Sequence, residues 1–202
     1  MNKKIILLPA LMMLLASCST EPSEPTSSVA PSSTPSSTTT TTTPSSSLTS
    51  PLTFDFANEY DSLKTDMPYV ENADVLDGTM NGLAFKLSAA FVSSYSNVGY
   101  LMLGSKKYTT AAFIASAESL GKITKIEFTT GASASNKATY NVTFSETPIT
   151  EAVSDGAETI AQNTSKEFTP SDDKNYGYFA ITSANTGANG QLATLTITFE
   201  NN

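Results

Sequence analysis

The run Ala138-Thr139-Tyr140-Asn141-Val142-Thr143-Phe144-Ser145 decides the fold class. Side chains of an extended strand point alternately to opposite faces, so Tyr140, Val142 and Phe144 share one side while Thr139, Asn141, Thr143 and Ser145 share the other. A strand written this way buries its apolar face and turns its polar face to water. The same alternation sets Ala193, Leu195, Ile197 and Phe199 against Thr194, Thr196 and Thr198. Within Lys122 to Thr130 it sets Ile126 and Phe128 against Lys125 and Glu127. Shorter runs at Thr53 to Phe56, Leu83 to Phe91, Tyr100 to Leu103, Ala112 to Ala115, Lys166 to Thr169 and Tyr176 to Thr182 bring the expectation to about nine strands.

Turn-forming residues fall between these runs at Asp77-Gly78, Gly131 to Asn136, Asp155-Gly156, Asp172 to Asn175 and Gly187 to Gly190. Helical periodicity is weak throughout. Residues 52–202 number about 150, enough for one core that removes roughly 68–70% of the unfolded surface from water. Many short strands with this punctuation predict an all-β domain, a single antiparallel β-sandwich, with a jelly roll as the favoured topology. No internal repeat of fixed period supports a propeller or solenoid.

Four segments carry a family likeness: Thr53-Phe54-Asp55-Phe56, Tyr100-Leu101-Met102-Leu103-Gly104-Ser105, Gly121-Lys122-Ile123-Thr124-Lys125-Ile126-Glu127-Phe128 and Leu195-Thr196-Ile197-Thr198-Phe199. With them the domain resembles the small jelly-roll sandwiches of secreted and lipid-anchored proteins of low-GC bacteria, carbohydrate-binding modules among them. The resemblance implies a noncatalytic binding or adhesion module with a glycan or polysaccharide as the first ligand class. The chain departs from many such modules in having no tryptophan.

The N-terminus reads as an address. Lys3-Lys4 is followed by an apolar run from Ile5 to Leu15, which matches the charged and apolar regions of a secretory signal and is too short for an ordinary spanning helix. Leu15-Ala16-Ser17-Cys18 resembles the lipobox of bacterial lipoproteins, where the cysteine after a small residue is acylated and becomes the mature N-terminus. Residues 1–17 are then the removed signal peptide and Cys18 the lipidation site. Two acyl chains hold a protein at a membrane where one gives only marginal binding. The alternative is an ordinary signal peptide with an incidental Cys18, but this is the chain's sole cysteine and lipidation accounts for it. From residue 18 to residue 51 the chain is dominated by Ser, Thr and Pro, a composition that cannot bury enough apolar surface to offset ordering entropy. It predicts a disordered tether, a spacer or a glycosylated stalk, with an average span of about 30 Å by flexible-chain scaling. The protein is thus expected in the bacterial cell envelope, attached to the membrane and facing the exterior, with the identity of that membrane and the oligomeric state left open.

Composition removes several chemistries. The chain has no histidine and no arginine, and its formal net charge is -8. Bidentate phosphate recognition and a favourable field for polyanions are both missing, so nucleic acid is excluded as a partner. Ser-His or Cys-His nucleophiles and the usual zinc sites are excluded too. The remaining partners are a glycan or an envelope protein.

Two site expectations follow. If Phe179 and Ile181 face the core, Tyr176 and Tyr178 share the opposite face, where they could stack on sugar rings beside the polar groups of Asp172, Asp173 and Lys174. The competing reading packs these tyrosines beneath a loop. Between Asp55 and Asp77 lie seven acidic residues opposed only by Lys64, and Asn72, Asp74 and Asp77 could contribute oxygen ligands to a structural calcium ion. A solvated acidic loop is the alternative, since Leu76 breaks the EF-hand pattern after Asp74. No other cofactor is implied. A carboxylate-dependent glycoside hydrolase would need two correctly separated carboxylates, which the sequence does not point to, so a noncatalytic role is preferred.

Overall fold

The computed structural model describes residues 48–70, 73–105, 110–184 and 187–201, all within the compact unit Thr40–Asn202. Its elements are β1 (Leu52–Asp55), α1 (Phe56–Leu63), β2 (Leu76–Met80), β3 (Leu83–Ser88), β4 (Ala90–Tyr95), β5 (Val98–Leu103), β6 (Ala112–Ser116), β7 (Lys122–Thr130), β8 (Thr139–Ser145), β9 (Glu158–Thr159), β10 (Ser165–Phe168), β11 (Tyr178–Ser183) and β12 (Gly190–Glu200). The first sheet runs β10-β7-β12-β5-β4, with β1 on β12, and the second runs β2-β3-β6-β11-β8-β9. All pairings are antiparallel.

From β5 onward the chain alternates between sheets in the order of a jelly roll: β5, β12, β7 and β10 form one four-strand set, and β6, β11, β8 and β9 form the other. The all-β sandwich and the favoured topology are therefore both present. β12 is long enough to serve two partners on one flank, β5 along Gly190 to Leu192 and β1 along Thr194 to Ile197. A register shift between Leu192 and Thr194 marks the handover.

The core lies between the sheets, where the apolar faces of the alternating runs meet. Phe54, Phe85, Phe128, Tyr140, Phe179 and Ile197 are fully buried there. Phe85 sits edge-on to Phe54 at 5.6 Å between ring centroids, and to Phe179 at 6.4 Å. These geometries are ones that aromatic quadrupoles favour.

The structure departs from the strand expectations at three places. Leu83 to Phe91 is not one strand: Ala89, at φ 47°, turns the chain from β3 in the second sheet to β4 in the first. Asp77-Gly78 is not a turn but lies inside β2, where Gly78 pairs with Phe85. A Cβ on Gly78 would come within 2.7 Å of Met67 and Pro68, so the glycine reflects a crossing segment. The turn is Asn81-Gly82, with φ of 47° and 80°, the left-handed pair that joins two-residue hairpins. Finally, α1 follows β1 unannounced. Its Asp55 cap accepts from the Asn58 amide at 3.2 Å, and Phe56 and Leu63 are buried. Eight residues with a non-helical Glu59 inside leave too few turns for a helical period to register.

Candidate functional site

The outward face of the first sheet has two halves of different character. Over β7, β10 and the C-terminal part of β12 it is polar. There Lys125 bonds Glu127 at 3.2 Å and Glu167 at 3.4 Å, and the hydroxyls of Thr129 and Ser165 meet at 2.8 Å. Over β4, β5 and the start of β12 it is aromatic. Ala90 and Val92 turn inward to the core, as do Leu101 and Leu103, which leaves Phe91, Ser93 and Tyr95 of β4 and Tyr100 and Met102 of β5 on the outward side. The register sets Tyr95 opposite Val98, Ser93 opposite Tyr100 and Phe91 opposite Met102, and Gln191 of β12 lies opposite Met102 on its other side.

A groove of about 190 Å3 opens on this half. The β4–β5 hairpin forms one wall with Tyr95, Ser96, Val98 and Tyr100. Gly131, Ala132 and Ser133, just after β7, form the other, and Gln191 and Ala193 lie between. Ser96 and Asn97 both have positive φ, 51° and 64°, which turns the hairpin tightly and sets Tyr95 and Val98 side by side. The hairpin is braced by α1: a Cβ on Gly99 would lie 1.9 Å from the Phe56 carbonyl oxygen and 2.3 Å from Tyr60 Cβ. Helix and strand can approach this closely only at glycine. No charged side chain lines the groove.

Gln191 is the polar centre of the site. Gln191 as a whole is 4% exposed and borders the groove, where its side-chain amide bonds no other described residue and stays open to solvent. Its backbone is held firmly. The Tyr140 hydroxyl, reaching across the core from β8, accepts from the Gln191 amide at 3.0 Å and donates to the Gln191 carbonyl at 3.4 Å. The Gly131 amide also donates to that carbonyl at 2.9 Å. Burial pushes the Tyr140 phenol up to about 12, with the Gln191 backbone bond opposing it, so the hydroxyl stays protonated and can act as both donor and acceptor. A Cβ on Gly131 would sit 3.0 Å from both Cβ and Oε1 of Gln191, so the glycine makes room for the amide. Amide N–H and C=O presented together can bond neighbouring hydroxyls, and tyrosine rings present apolar faces to stack on.

The residues expected from the sequence lie elsewhere. Phe179 and Ile181 face the core as anticipated, but Tyr178 on the opposite face is only 7% exposed, so the exposed tyrosine pair does not form. The reason is that this outward face of the second sheet is covered. Ile149 and Ala152 pack on Phe113, Ala115 and Ala180, and the Val153 amide donates to the Thr182 hydroxyl at 3.2 Å while its carbonyl accepts from Asn141 at 2.9 Å. Tyr176 is half-buried, 6.2 Å from the Phe144 ring, and its hydroxyl donates to Asp172 at 3.3 Å. Burial first, then that carboxylate, raises its pKa. Lys174 pairs with the same Asp172 at 3.8 Å. These three residues do come together, beside a shallow cleft that Lys174 and Asp172 line with Lys122 and Thr124.

Asn72 and Cys18 lie outside the described residues. Asp77 on β2 accepts from Lys86 of β3, and among the described residues no group of three acidic side chains is placed to hold a metal ion. The tyrosines of the groove were legible in principle. Outward alternation runs from Phe91 through Tyr95, crosses Ser96-Asn97, and continues through Val98 and Tyr100, but it pairs apolar with apolar on both faces and so resembles buried strand.

No protein-family model matches the chain, and no curated protein matches it either. Among solved structures it is similar to CBM86, described as a low-affinity xylan-binding module from the xylanolytic gut symbiont Roseburia intestinalis. The TM-score is 0.34 and the identity 14%, over 74% of this chain and 96% of that one.

Proposed function

We propose that the sandwich is a noncatalytic module that binds a neutral glycan in the groove between Tyr95, Tyr100 and Gln191, and that Cys18 anchors it by lipid to the outside of a bacterial membrane. The observation that carries the reading is the Gln191 amide set between tyrosine and glycine walls in a groove with no charged lining. The amide N–H and C=O face the groove, where a ligand hydroxyl can take the place of water. Sugar rings combine an apolar face with vicinal hydroxyls, which is the pairing that this lining complements. Two carboxylates are needed for glycoside hydrolysis, and none is among the groove's lining residues, which supports binding without catalysis. A flat apolar patch would have favoured an envelope protein as partner; a groove with an amide at its centre favours a small polar ligand.

The test is a screen of the purified full-length protein against bacterial, plant and host glycans, with and without calcium, beside a Tyr95→Ala/Tyr100→Ala variant. A specific glycan is expected to bind and to lose roughly tenfold or more in affinity in the variant, on stacking contributions of about 0.5–1.5 kcal/mol per ring. Silence across the screen, or binding indifferent to the variant, would sink the reading. Calcium dependence would bring Asn72, Asp74 and Asp77 back as ligands. For the anchor, Cys18→Ala should abolish acyl labelling; normal labelling of that variant would overturn it.

A further inference from the structure

Resting on the glycan reading, we infer that the groove is one end of a longer platform whose other end is Tyr69 stacked on Phe91, and that the ligand is a linear, neutral, β-linked polysaccharide lying along β4. Of the five exposed large apolar side chains among the described residues, Val75 and Leu76 belong to the segment entering β2, and the three most exposed are Tyr69, Tyr95 and Val98 at 63%, 66% and 50%. All three fall on this half of one sheet face. The Tyr69 ring lies 4.2 Å from the Phe91 ring, centroid to centroid, at a tilt of 40°. Phe91 is itself 6% exposed and Met102 8%, so the two form a floor with Tyr69 resting at its margin.

The spacing determines the class of ligand. Phe91 and Tyr95 are four residues apart on one strand, ~13 Å at 3.2–3.4 Å per residue, which is the length of about two to three pyranose rings in an extended chain. A single ring is shorter than that distance and covers only one of Phe91 and Tyr95. A chain that reaches both tyrosines must stay extended over a sheet face, which ribbon-like β-1,4-linked chains do and helically coiled α-1,4- or β-1,3-linked glucans do not. By register Ser93 and Tyr100 floor the middle of that path, while Met102 and Gln191 lie in the row of Phe91 at its Tyr69 end, so sugar hydroxyls there meet the Gln191 amide while neighbouring rings stack. With no charge in the groove lining and an acidic chain overall, a neutral polymer fits where a uronate or phosphate polymer would not.

The test is calorimetric titration of the purified full-length protein with β-1,4-linked xylo- and gluco-oligosaccharides of about one to six units, using wild type, Tyr69→Ala, Tyr69→Phe and Tyr95→Ala. Affinity should climb with length until about three or four units and then level off. Tyr69→Ala should lower hexamer affinity about tenfold on the scale of a lost stacking contact, leave dimer affinity unchanged and flatten the length dependence, while Tyr69→Phe keeps the wild-type profile. If Tyr95→Ala removes binding but Tyr69→Ala alters no length, the long platform is wrong and the groove reading survives. If neither oligosaccharide series binds at any length, the inference is overturned for these linear neutral chains, and the wider glycan screen then decides whether the groove reading falls with it.

Discussion

On the outward face of the second sheet, Phe113, Ala115 and Ala180 lie beneath Ile149 and Ala152 of the β8–β9 connection, whereas on the outward face of the first sheet Tyr95 and Val98 stand open beside a groove. Both faces carry apolar residues in the same alternating pattern. One is partly covered by twelve residues of loop between Ser145 and Glu158, anchored through Thr182 and Asn141, which leave a shallow opening of about 290 Å3 beside Phe113, Ala152 and Val75. Among the described residues, the other has Tyr69 laid over Phe91 at one margin. A covered outward face adds to stability; an open one with tyrosines and a groove-facing amide is available to a ligand. The same comparison explains why Tyr178, on the covered face, is shielded while Tyr95 is not.

Substitutions on the two faces should therefore separate stability from binding. The largest effect is expected beneath the loop. Phe113→Ala removes a ring that is 2% exposed and should cost about 3–5 kcal/mol, read by denaturant unfolding, with glycan affinity of the folded protein unchanged. Loss of less than about 1 kcal/mol would mean that the cover is loose and the contrast between faces overstated.

Next is Tyr140→Phe, which probes the link between core and groove. It leaves the buried Gln191 amide without the hydroxyl acceptor and should cost about 1–3 kcal/mol, while weakening glycan binding through a less firmly held Gln191. Its pH signature follows from the raised pKa. The folded phenol titrates at about 12 and the unfolded one near 10. The neutral form is favoured in the fold, so this contribution is complete below about pH 10 and is lost as pH rises toward about 12, at up to about 1.4 kcal/mol per pH unit. Wild type should show this alkaline decline and Tyr140→Phe a shallower one. Parallel declines would show that Tyr140 ionises no differently in the fold.

The smallest stability effect belongs to the open face. Tyr95→Ala should change unfolding free energy by less than about 0.5 kcal/mol while weakening glycan binding, the reverse of Phe113→Ala. A Tyr95→Ala protein that unfolds easily would make the tyrosine a structural residue. Because the groove lining has no charge, raising salt from low to physiological levels should leave affinity within about twofold.

The alternation at Lys122 to Thr130 and at Thr139 to Ser145 was readable residue by residue, because one-sided burial imposes a period of two on the chain itself. The hairpin at Asn81-Gly82 also carried its own signature, although the nearby Asp77-Gly78 competed for it with equally good turn chemistry. The break at Ala89 had no such signature. Nothing local distinguishes an alanine that must take positive φ from one in a strand, and only the need to pass from one sheet to the other places it there.

By itself the sequence determined that this chain is a β-sandwich without histidine or arginine, because periodicity and composition are properties of consecutive residues and of their sum. The tertiary structure alone decided which outward face stays open. That outcome depends on where the Glu146 to Ala157 segment folds back, and on Tyr140, Gly131 and Gln191, up to sixty residues apart, meeting at one strand of the first sheet. Contacts between residues so distant in sequence leave no period for a local reading to find.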